Sequence, residues 1–172
     1  MKKKAIFFDR DGVLVKTKII KKKPVAIKNK NEIKILRGII PLCKKLEKKY
    51  LMFMVTNQPD VSKNKITKKN VKCINFFLKE KLNLKKTYTC YCNNDKCYNR
   101  KPNPGMLKKA IKKYNITPEK SFLIGDRWKD IVAGKRASCK TILLKKNYSN
   151  IKKCNPDYII NNIHQIKKIL NI

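Results

Sequence analysis

The chain has 172 residues, of which 42% are hydrophobic, so it is long enough to bury a substantial core and is not a disordered polypeptide. No apolar run approaches the length of a membrane span, and this argues against a membrane protein. Seven cysteines, an odd number, and the lack of a secretory segment before the first acidic residue predict a reducing compartment. We therefore expect a cytoplasmic protein.

The formal net charge of +34 raises the question of nucleic-acid binding. Nearly all of that charge comes from lysine, whereas arginine occurs only at positions 10, 37, 100, 127 and 136. Nucleic-acid surfaces usually combine arginine with interleaved aromatic residues. Lysine, asparagine and isoleucine share A/T-rich codons, so a biased genome is a sufficient explanation for much of the charge. We do not expect a nucleic-acid partner, although a positive field would attract a phosphorylated substrate.

The first predicted strand, residues 5–8, is apolar and ends directly before two carboxylates. Asp9 and Asp11 follow it one residue apart, and Gly12 supports a sharp turn of the chain. Taken alone, this pattern is also typical of a hairpin turn to a second apolar strand. At the carboxyl end of a buried parallel strand, however, both side chains would face the crevice where α/β folds bind ligands.

The next part of the chain predicts a flap and then a second strand that ends in polar residues. Residues 13–36 alternate apolar and polar positions around a proline and are too few for a separate cap domain, so we expect a flap or hairpin beside the site. After a predicted helix at 39–49, the strand 51–55 leads into Thr56 and Asn57. Their hydroxyl and amide groups can bind phosphoryl oxygens without adding negative charge.

A predicted helix at 65–82 and a strand at 87–91 precede a loop that ends in two cations. Arg100 offers a planar guanidinium, which suits a phosphate or sugar hydroxyls. Lys101 offers a compact charge for a transferring phosphoryl group. A proline directly after this pair predicts the start of a helix at 104–115.

The last third of the chain repeats the pattern of a strand followed by carboxylates. Strand 122–124 leads into Asp126 and Asp130, and carboxylates from two strands make an oxygen-rich site suited to Mg²⁺. The remaining predicted elements are helices at 129–137 and 162–171 and strands at 141–144 and 157–160. This alternation of strands and helices predicts an α/β fold with a parallel sheet.

Four polar segments at these strand ends resemble the motifs of the haloacid dehalogenase superfamily of aspartate-nucleophile phosphatases. They are Phe7 to Val13, Thr56 to Gln58, Arg100 to Met106 and Gly125 to Arg127. The closer resemblance is to the D-glycero-D-manno-heptose 1,7-bisphosphate phosphatases and the related histidinol-phosphate phosphatases, from about Lys4 to the C-terminus. It implies a Rossmann-like three-layer α/β/α sandwich with a mainly parallel sheet and no separate cap, formed by residues 1–172 as a single domain.

The resemblance also implies roles for the motif residues. Asp9 would be the nucleophile that takes the phosphoryl group, and Asp11 would protonate the leaving alkoxide and then serve as base for the hydrolytic water. Mg²⁺ would bind the Asp9 carboxylate, the Asp11 backbone carbonyl and the Asp126 carboxylate. The supporting residues would be Thr56, Asn57 and Lys101 in the oxyanion cradle, Asp130 behind the metal or Lys101, and Arg100 and Arg127 on the substrate.

The cysteine-containing loop at 90–99 departs from the pattern of many relatives, which hold a structural zinc with Cys-x-His and Cys-x-Cys. In this chain Cys90, Cys92 and Cys97 take three of the ligand positions, and Asn99 stands at the fourth. Because a neutral amide is a poor zinc ligand, the loop alone cannot close a four-coordinate site. Two alternatives stay open: three thiolates bind Zn²⁺ with water or a distant group, or the loop has lost its metal.

We therefore predict a Mg²⁺-dependent phosphomonoesterase that acts through an aspartyl-phosphate on a small sugar phosphate, with removal of the 7-phosphate of heptose 1,7-bisphosphate as the first expectation. Histidinol phosphate and a polynucleotide 3′-phosphate are the rival substrates. A protein of another class, which binds polyanions without catalysis, would need none of Asp9, Asp11, Lys101 and Asp126 in this order. The sequence does not determine the oligomeric state, for which a monomer is the starting expectation.

Overall fold

A six-stranded parallel sheet lies at the centre of the molecule. The structure is a computed structural model that describes residues 2–20 and 23–172. The strands of the sheet are β1 (Ala5–Phe8), β4 (Leu51–Asn57), β5 (Lys86–Cys90), β6 (Phe122–Gly125), β7 (Lys140–Leu144) and β8 (Tyr158–Ile160). They lie in the order β5-β4-β1-β6-β7-β8, and all neighbours are parallel.

Helices cover both faces of this sheet. They are α1 (Ile39–Leu46), α2 (Lys68–Lys81), α3 (Gly105–Tyr114), α4 (Trp128–Arg136) and α5 (Ile166–Leu170). Short 3₁₀ turns lie at Lys30–Glu32, Pro118–Lys120, Ile151–Lys153 and Ile163–Gln165. Among the helices of the described residues, none is both long and apolar enough to cross a membrane.

The central strand β1 contributes to two separate cores because successive side chains of a strand point to opposite faces. Ile6 and Phe8 belong to a core that also contains residues of α1, α2 and α5. Ala5 and Phe7 belong to the other core, with residues of α3 and α4. All four side chains are fully buried, as expected for a strand covered on both faces. The predicted three-layer α/β/α sandwich is therefore confirmed.

A small antiparallel pair occupies part of the predicted flap segment. It consists of β2 (Lys18–Ile20) and β3 (Lys23–Val25), with Lys18 opposite Val25. The connection between the two strands, at 21–22, lies outside the described residues. At the base of the segment, the backbone N–H of Lys16 donates to the carbonyl of Lys34 at 2.8 Å. The described part of the chain contains no separate cap domain, in agreement with the prediction.

The predicted strands agree with the observed ones to within a few residues, and the helices differ mainly at their ends. Helix α2 begins at Lys68 rather than at residue 65, because the Thr67 hydroxyl caps it by accepting from the N–H of Asn70 at 3.1 Å. The predicted helix at 162–171 begins instead with a 3₁₀ turn. In that turn the Gln165 side chain accepts from the N–H of Asn161 at 2.7 Å and so ties the helix entry to the preceding backbone.

Candidate active site

The carboxyl ends of β1, β4 and β6 form the floor of a cleft of about 440 Å³. Strand β1 lies between β4 and β6, so the strand order reverses at this point, and ligands bind at such a reversal in open α/β sheets. Asp9 follows β1, Thr56 and Asn57 end β4, and Asp126 follows β6. All four residues line the cleft. The fold thus brings together motif residues that lie far apart in the sequence.

A buried ion-pair network centres on Lys101. Its Nζ lies 2.7 Å from Asp9 Oδ1 and 2.6 Å from Asp130 Oδ1, and it donates to the Val55 carbonyl at 2.8 Å. Burial alone would lower the pKa of Lys101, but Asp130 and Asp9 outweigh it and raise the pKa above its usual range. Lys101 is therefore a fixed cation on the floor of the cleft.

Three carboxylates crowd the same region. Asp9, Asp126 and Asp130 are all buried, and one oxygen from each lies within 4.8 Å of the others. Burial, only partly offset by Lys101, raises the pKa of Asp9 to about 6. Burial, with the charges of Asp9 and Asp130, raises the pKa of Asp126 well above its usual value. Asp126 Oδ1 is buried and has no hydrogen-bond partner among the described residues, so this oxygen is available to a cation.

Asn57 fixes the backbone of Lys101 from the neighbouring strand. Its Nδ2 donates to the Lys101 carbonyl at 2.9 Å, and its Oδ1 accepts from the Lys101 N–H at 3.1 Å. The buried Thr56 hydroxyl accepts from Gln58 Nε2 at 2.8 Å. All three predicted cradle residues, Thr56, Asn57 and Lys101, therefore lie at the cleft, and Asn57 also holds the lysine in place.

Asp11 lines the cleft and is held by the fully buried Arg10. Arg10 Nε donates to Asp11 Oδ2 at 3.0 Å, and its Nη2 lies 2.9 Å from the same oxygen. Gln58 Nε2 donates to Asp11 Oδ2 at 2.8 Å. On its other side, Arg10 Nη1 donates to Asn75 Oδ1 at 3.0 Å, and Asn75 donates to the Thr89 hydroxyl at 2.9 Å. A chain of hydrogen bonds from β5 thus orients Asp11.

The start of α4 places Arg127 on the rim of the cleft. Asp130 Oδ2 accepts from the Arg127 N–H at 3.0 Å, which caps the helix while Oδ1 pairs with Lys101. A Cβ on Gly125 would lie 2.1 Å from the Asp130 Cβ, so this close approach requires glycine. Arg127 is exposed and lines the cleft, and its predicted contact with the substrate stays a prediction.

Arg100 is engaged elsewhere. Its Nε donates to Asp95 Oδ1 at 2.9 Å and its Nη1 to the Cys92 carbonyl at 2.8 Å. It is not among the described residues that line the cleft, whereas Lys28 and Lys65 are. A substrate contact from Arg100 therefore stays a prediction, and three lysines that the sequence did not single out, Lys28, Lys65 and Lys129, line the cleft.

The cysteine loop brings its three thiols together. Cys90, Cys92 and Cys97 each offer a sulfur within 4.8 Å of the others, and the Cys90 and Cys97 sulfurs are 3.7 Å apart. Asn99 Oδ1 is buried and lacks a hydrogen-bond partner within the described ranges. The expected cluster of three potential zinc ligands is present in the structure.

Sequence reasoning missed the roles of Arg10 and Tyr148. Arg10 could have been found, because it stands between the two motif carboxylates. The Tyr148 hydroxyl donates to Asp126 Oδ2 at 2.7 Å from the loop after β7, and no motif marks it. Burial, together with the Asp126 charge, raises the pKa of Tyr148, so the phenol keeps its proton and donates.

The site contains a buried aspartate after the central strand, a lysine paired with it and another aspartate at the end of a second strand. These features define the class of haloacid dehalogenase-like hydrolases. A family model described as HAD-hydrolase-like matches residues 98–166. The chain is 32% identical over 149 residues to the D-glycero-beta-D-manno-heptose-1,7-bisphosphate 7-phosphatase of Helicobacter pylori, covering 82% of this chain and 83% of that protein. It is 34% identical over 150 residues to the D-glycero-alpha-D-manno-heptose-1,7-bisphosphate 7-phosphatase of Campylobacter jejuni, covering 84% of this chain and 83% of that protein.

A solved structure shares the fold over nearly the whole chain. It is the D,D-heptose 1,7-bisphosphate phosphatase from B. bronchiseptica complexed with magnesium and phosphate, with a TM-score of 0.84, 20% identity and 98% coverage of both chains. The chain therefore belongs to the haloacid dehalogenase-like phosphatases, in the family that contains these heptose bisphosphate phosphatases.

Proposed function

We propose that this protein is a Mg²⁺-dependent phosphomonoesterase that removes the 7-phosphate of D-glycero-D-manno-heptose 1,7-bisphosphate. The observation that carries the proposal is the pairing of Lys101 with the buried Asp9 and Asp130 in the cleft of a chain related to enzymes with this activity. The Asp9 carboxylate can attack a phosphorus atom. The Lys101 cation, 2.7 Å from this carboxylate, can stabilise the charge on the phosphoryl oxygens.

The reaction needs two displacements at phosphorus. In the first, an Asp9 oxygen forms a bond to phosphorus while the bond to the sugar oxygen breaks, and Asp11 donates a proton to the departing alkoxide. In the second, Asp11 takes a proton from water, which attacks the phosphoryl group and releases Asp9. Lys101 and Thr56 would bind the non-bridging oxygens in both steps. The contacts of Arg10 and Gln58 keep Asp11 at the cleft for both roles.

The residues of the cleft fit a divalent cation. The Asp9 and Asp126 carboxylates and the Asp11 backbone carbonyl would hold Mg²⁺, and Asp126 Oδ1 has no other partner among the described residues. When bound, the ion offsets the repulsion between an anionic nucleophile and an anionic phosphate. Its charge would also favour ionised Asp9, against the effect of burial.

The rim of the cleft suits a second anionic group on the substrate. Lys28, Lys65 and Arg127 line it, and all three are exposed. We place the remaining phosphate of the bisphosphate against these cations. The cleft volume of about 440 Å³ lies within the usual range of roughly 300–1,000 Å³ for small-molecule sites. Residues 13–36 would act as a flap of the single domain, since Thr17 and Val25 also line the cleft.

We also propose a structural zinc in the cysteine loop. Two thiolates on one tetrahedral zinc, each about 2.3 Å from the ion, lie about 3.8 Å apart. The Cys90 and Cys97 sulfurs are separated by 3.7 Å, and Cys92 completes a set of three. The loop leads into Lys101, so the ion would stabilise the segment that presents the catalytic lysine.

The zinc proposal is tested by metal analysis of freshly purified protein. We expect close to one equivalent of zinc, and a chelator should lower the unfolding temperature. A Cys97→Ser variant should lose the metal, whereas a Cys73→Ser variant, which changes an exposed cysteine outside the loop, should keep it. Protein without zinc, or zinc that persists in Cys97→Ser, would contradict the proposal.

Phosphate release tests the enzymatic proposal. The substrates are both anomers of heptose 1,7-bisphosphate, histidinol phosphate and a 3′-phosphorylated oligonucleotide. We expect one heptose anomer to give the highest kcat/KM and Asp9→Asn to lower kcat roughly 10³-fold or more. Asp60→Asn is the matched control, because Asp60 also lines the cleft but makes no ion pair within the described part of the chain. A preference for the oligonucleotide would contradict the proposed substrate.

A further inference from the structure

Tyr148 contacts the predicted metal ligand Asp126 from outside the lining of the cleft. Its hydroxyl donates to Asp126 Oδ2 at 2.7 Å, and the tyrosine is not one of the described residues that line the cleft. A substrate in the cleft would therefore meet Asp126 and not Tyr148. The hydrogen bond to Asp126 is therefore the contact through which Tyr148 reaches the site.

The loop that carries Tyr148 is anchored on both sides. Ser149 is buried, and its hydroxyl accepts from the Lys146 N–H at 2.7 Å. The Ser149 carbonyl accepts from the N–H of Trp128, at the start of α4, at 3.2 Å. Upstream, the Lys145 N–H donates to the carbonyl of Ile160 in β8 at 2.8 Å. These bonds attach the loop to the elements that surround Asp126, so the position of the phenol is fixed by the fold.

The nucleophile motif packs against the same pair of side chains. Gly12 has a φ of +92°, and a Cβ there would lie 1.9 Å from Asp126 Oδ2 and 2.9 Å from the Tyr148 hydroxyl oxygen. The backbone after β1 thus approaches the bonded oxygen closely, which only glycine permits. Loops that follow β1, β6 and β7 meet at this one hydrogen bond.

The two oxygens of Asp126 consequently have different roles. Oδ2 is occupied by Tyr148 and enclosed by Gly12, whereas Oδ1 is buried without a partner among the residues described. We propose that Tyr148 is a positioning residue, which fixes the Asp126 carboxylate so that Oδ1 is presented to Mg²⁺. This inference rests on the proposed Mg²⁺-dependent phosphatase function. Partners that orient a metal ligand in this way contribute strongly to metal affinity.

The test compares Mg²⁺ binding to Tyr148→Phe and to the wild-type enzyme by calorimetry without substrate. The substitution removes only the hydroxyl, so the ring packing is retained. We expect the Kd for Mg²⁺ to rise about 10- to 100-fold. The Mg²⁺ concentration for half-maximal activity should rise by the same factor, while kcat at saturating Mg²⁺ changes little. Tyr158→Phe, at a partly exposed tyrosine of β8, is the matched control and should leave the Kd unchanged.

Thermal unfolding separates positioning from a purely structural contact. If Tyr148 positions Asp126, Mg²⁺ should raise the unfolding temperature of Tyr148→Phe less than that of the wild type at equal concentration. A variant with a lower unfolding temperature in the absence of metal but an unchanged Kd would overturn the proposal. Wild-type enzyme that bound no Mg²⁺ would overturn both this inference and the metal part of the proposed function. Equally tight binding of Mg²⁺ by the wild type and by Tyr148→Phe would overturn this inference alone.

Discussion

At the scale of single residues, the site depends on a few buried polar side chains whose charges compensate one another. Lys101, Asp9 and Asp130 are almost fully buried, and none would be tolerated there alone. The motif residues could be predicted from the sequence because each follows an apolar strand in a fixed order. The contacts of Arg10 with Asn75 and of Tyr148 with Asp126 could not, since they join segments far apart in the chain.

Replacing Lys101 by alanine should affect both activity and stability. Without the ammonium group, Asp9 and Asp130 become buried carboxylates with no cation, and we expect the free energy of unfolding to fall by about 3–5 kcal/mol. Because the charged phosphoryl oxygens of the transition state also lose a hydrogen-bond donor, kcat should fall about 10²- to 10³-fold. Urea unfolding and steady-state kinetics measure the two effects. Lys108→Ala, at an exposed lysine of α3, is the control, and an equal loss there would contradict this reading.

At the scale of secondary-structure elements, the apolar runs and the helical stretches between them predicted the strands and a parallel sheet, but not the order of the strands in it. Side-chain caps decided the element ends, as at Thr67, and these depend on single hydrogen bonds that periodicity does not reveal. The edge of the sheet shows a further such contact. Asp157, just before β8, accepts from the N–H and the hydroxyl of Thr141 in β7, each at 2.7 Å, and pairs with Lys135 of α4.

Asp157→Asn should weaken the attachment of β8 in a pH-dependent way. Partial burial would raise the pKa of Asp157, but the hydrogen bonds from Lys135 and Thr141 outweigh it and lower the pKa below its usual value. A carboxylate whose pKa is lowered in the folded state stabilises the protein at pH values above its unfolded-state pKa, which is about 3.9. This stabilisation is lost as the pH falls through the folded-state pKa. Since the carboxylate is partly exposed, we expect a loss of only about 1 kcal/mol at neutral pH.

Urea unfolding of the Asp157 variant at pH 7 and near pH 3 gives the measurement. The difference from wild type should shrink at the lower pH, because the unfolded carboxylate takes up a proton below about pH 3.9 and the advantage of the lowered native pKa is progressively lost. Asp60→Asn, whose carboxylate makes no ion pair within the residues described, should show no such dependence. A constant difference at both pH values would show that Asp157 acts through packing and not through its charge.

At the scale of the whole molecule, the net charge of +34 is spread over many lysines, and a few of them lie where they can act on the substrate. Lys28 and Lys65 line the cleft beside the buried carboxylates. Composition could predict an excess of positive charge, but not which lysines would face the site. Which lysines face the cleft depends on the path of the flap and on the path of the loop before α2. Sequence periodicity does not determine either path.

Replacing Lys28 and Lys65 by alanine should selectively weaken binding of a bisphosphate. We expect KM for heptose 1,7-bisphosphate to rise about tenfold in the double variant, equivalent to about 1.4 kcal/mol. KM for a monophosphate such as p-nitrophenyl phosphate should change little, because it lacks the second anionic group. Steady-state kinetics at low ionic strength make the comparison, since salt screens exposed charges. A Lys108→Ala and Lys112→Ala control on α3 should match the wild type, and an equal rise for both substrates would contradict the assignment.

In the proposed reaction, Asp9 forms a covalent bond to the transferred phosphoryl group. Acid quenching of the enzyme during turnover of heptose 1,7-bisphosphate, followed by peptide mass spectrometry, tests it most directly. We expect a phosphoryl group on the peptide that contains Asp9, absent from Asp9→Asn and present in Asp60→Asn. A phosphoryl group on another residue, or full turnover by Asp9→Asn, would contradict it.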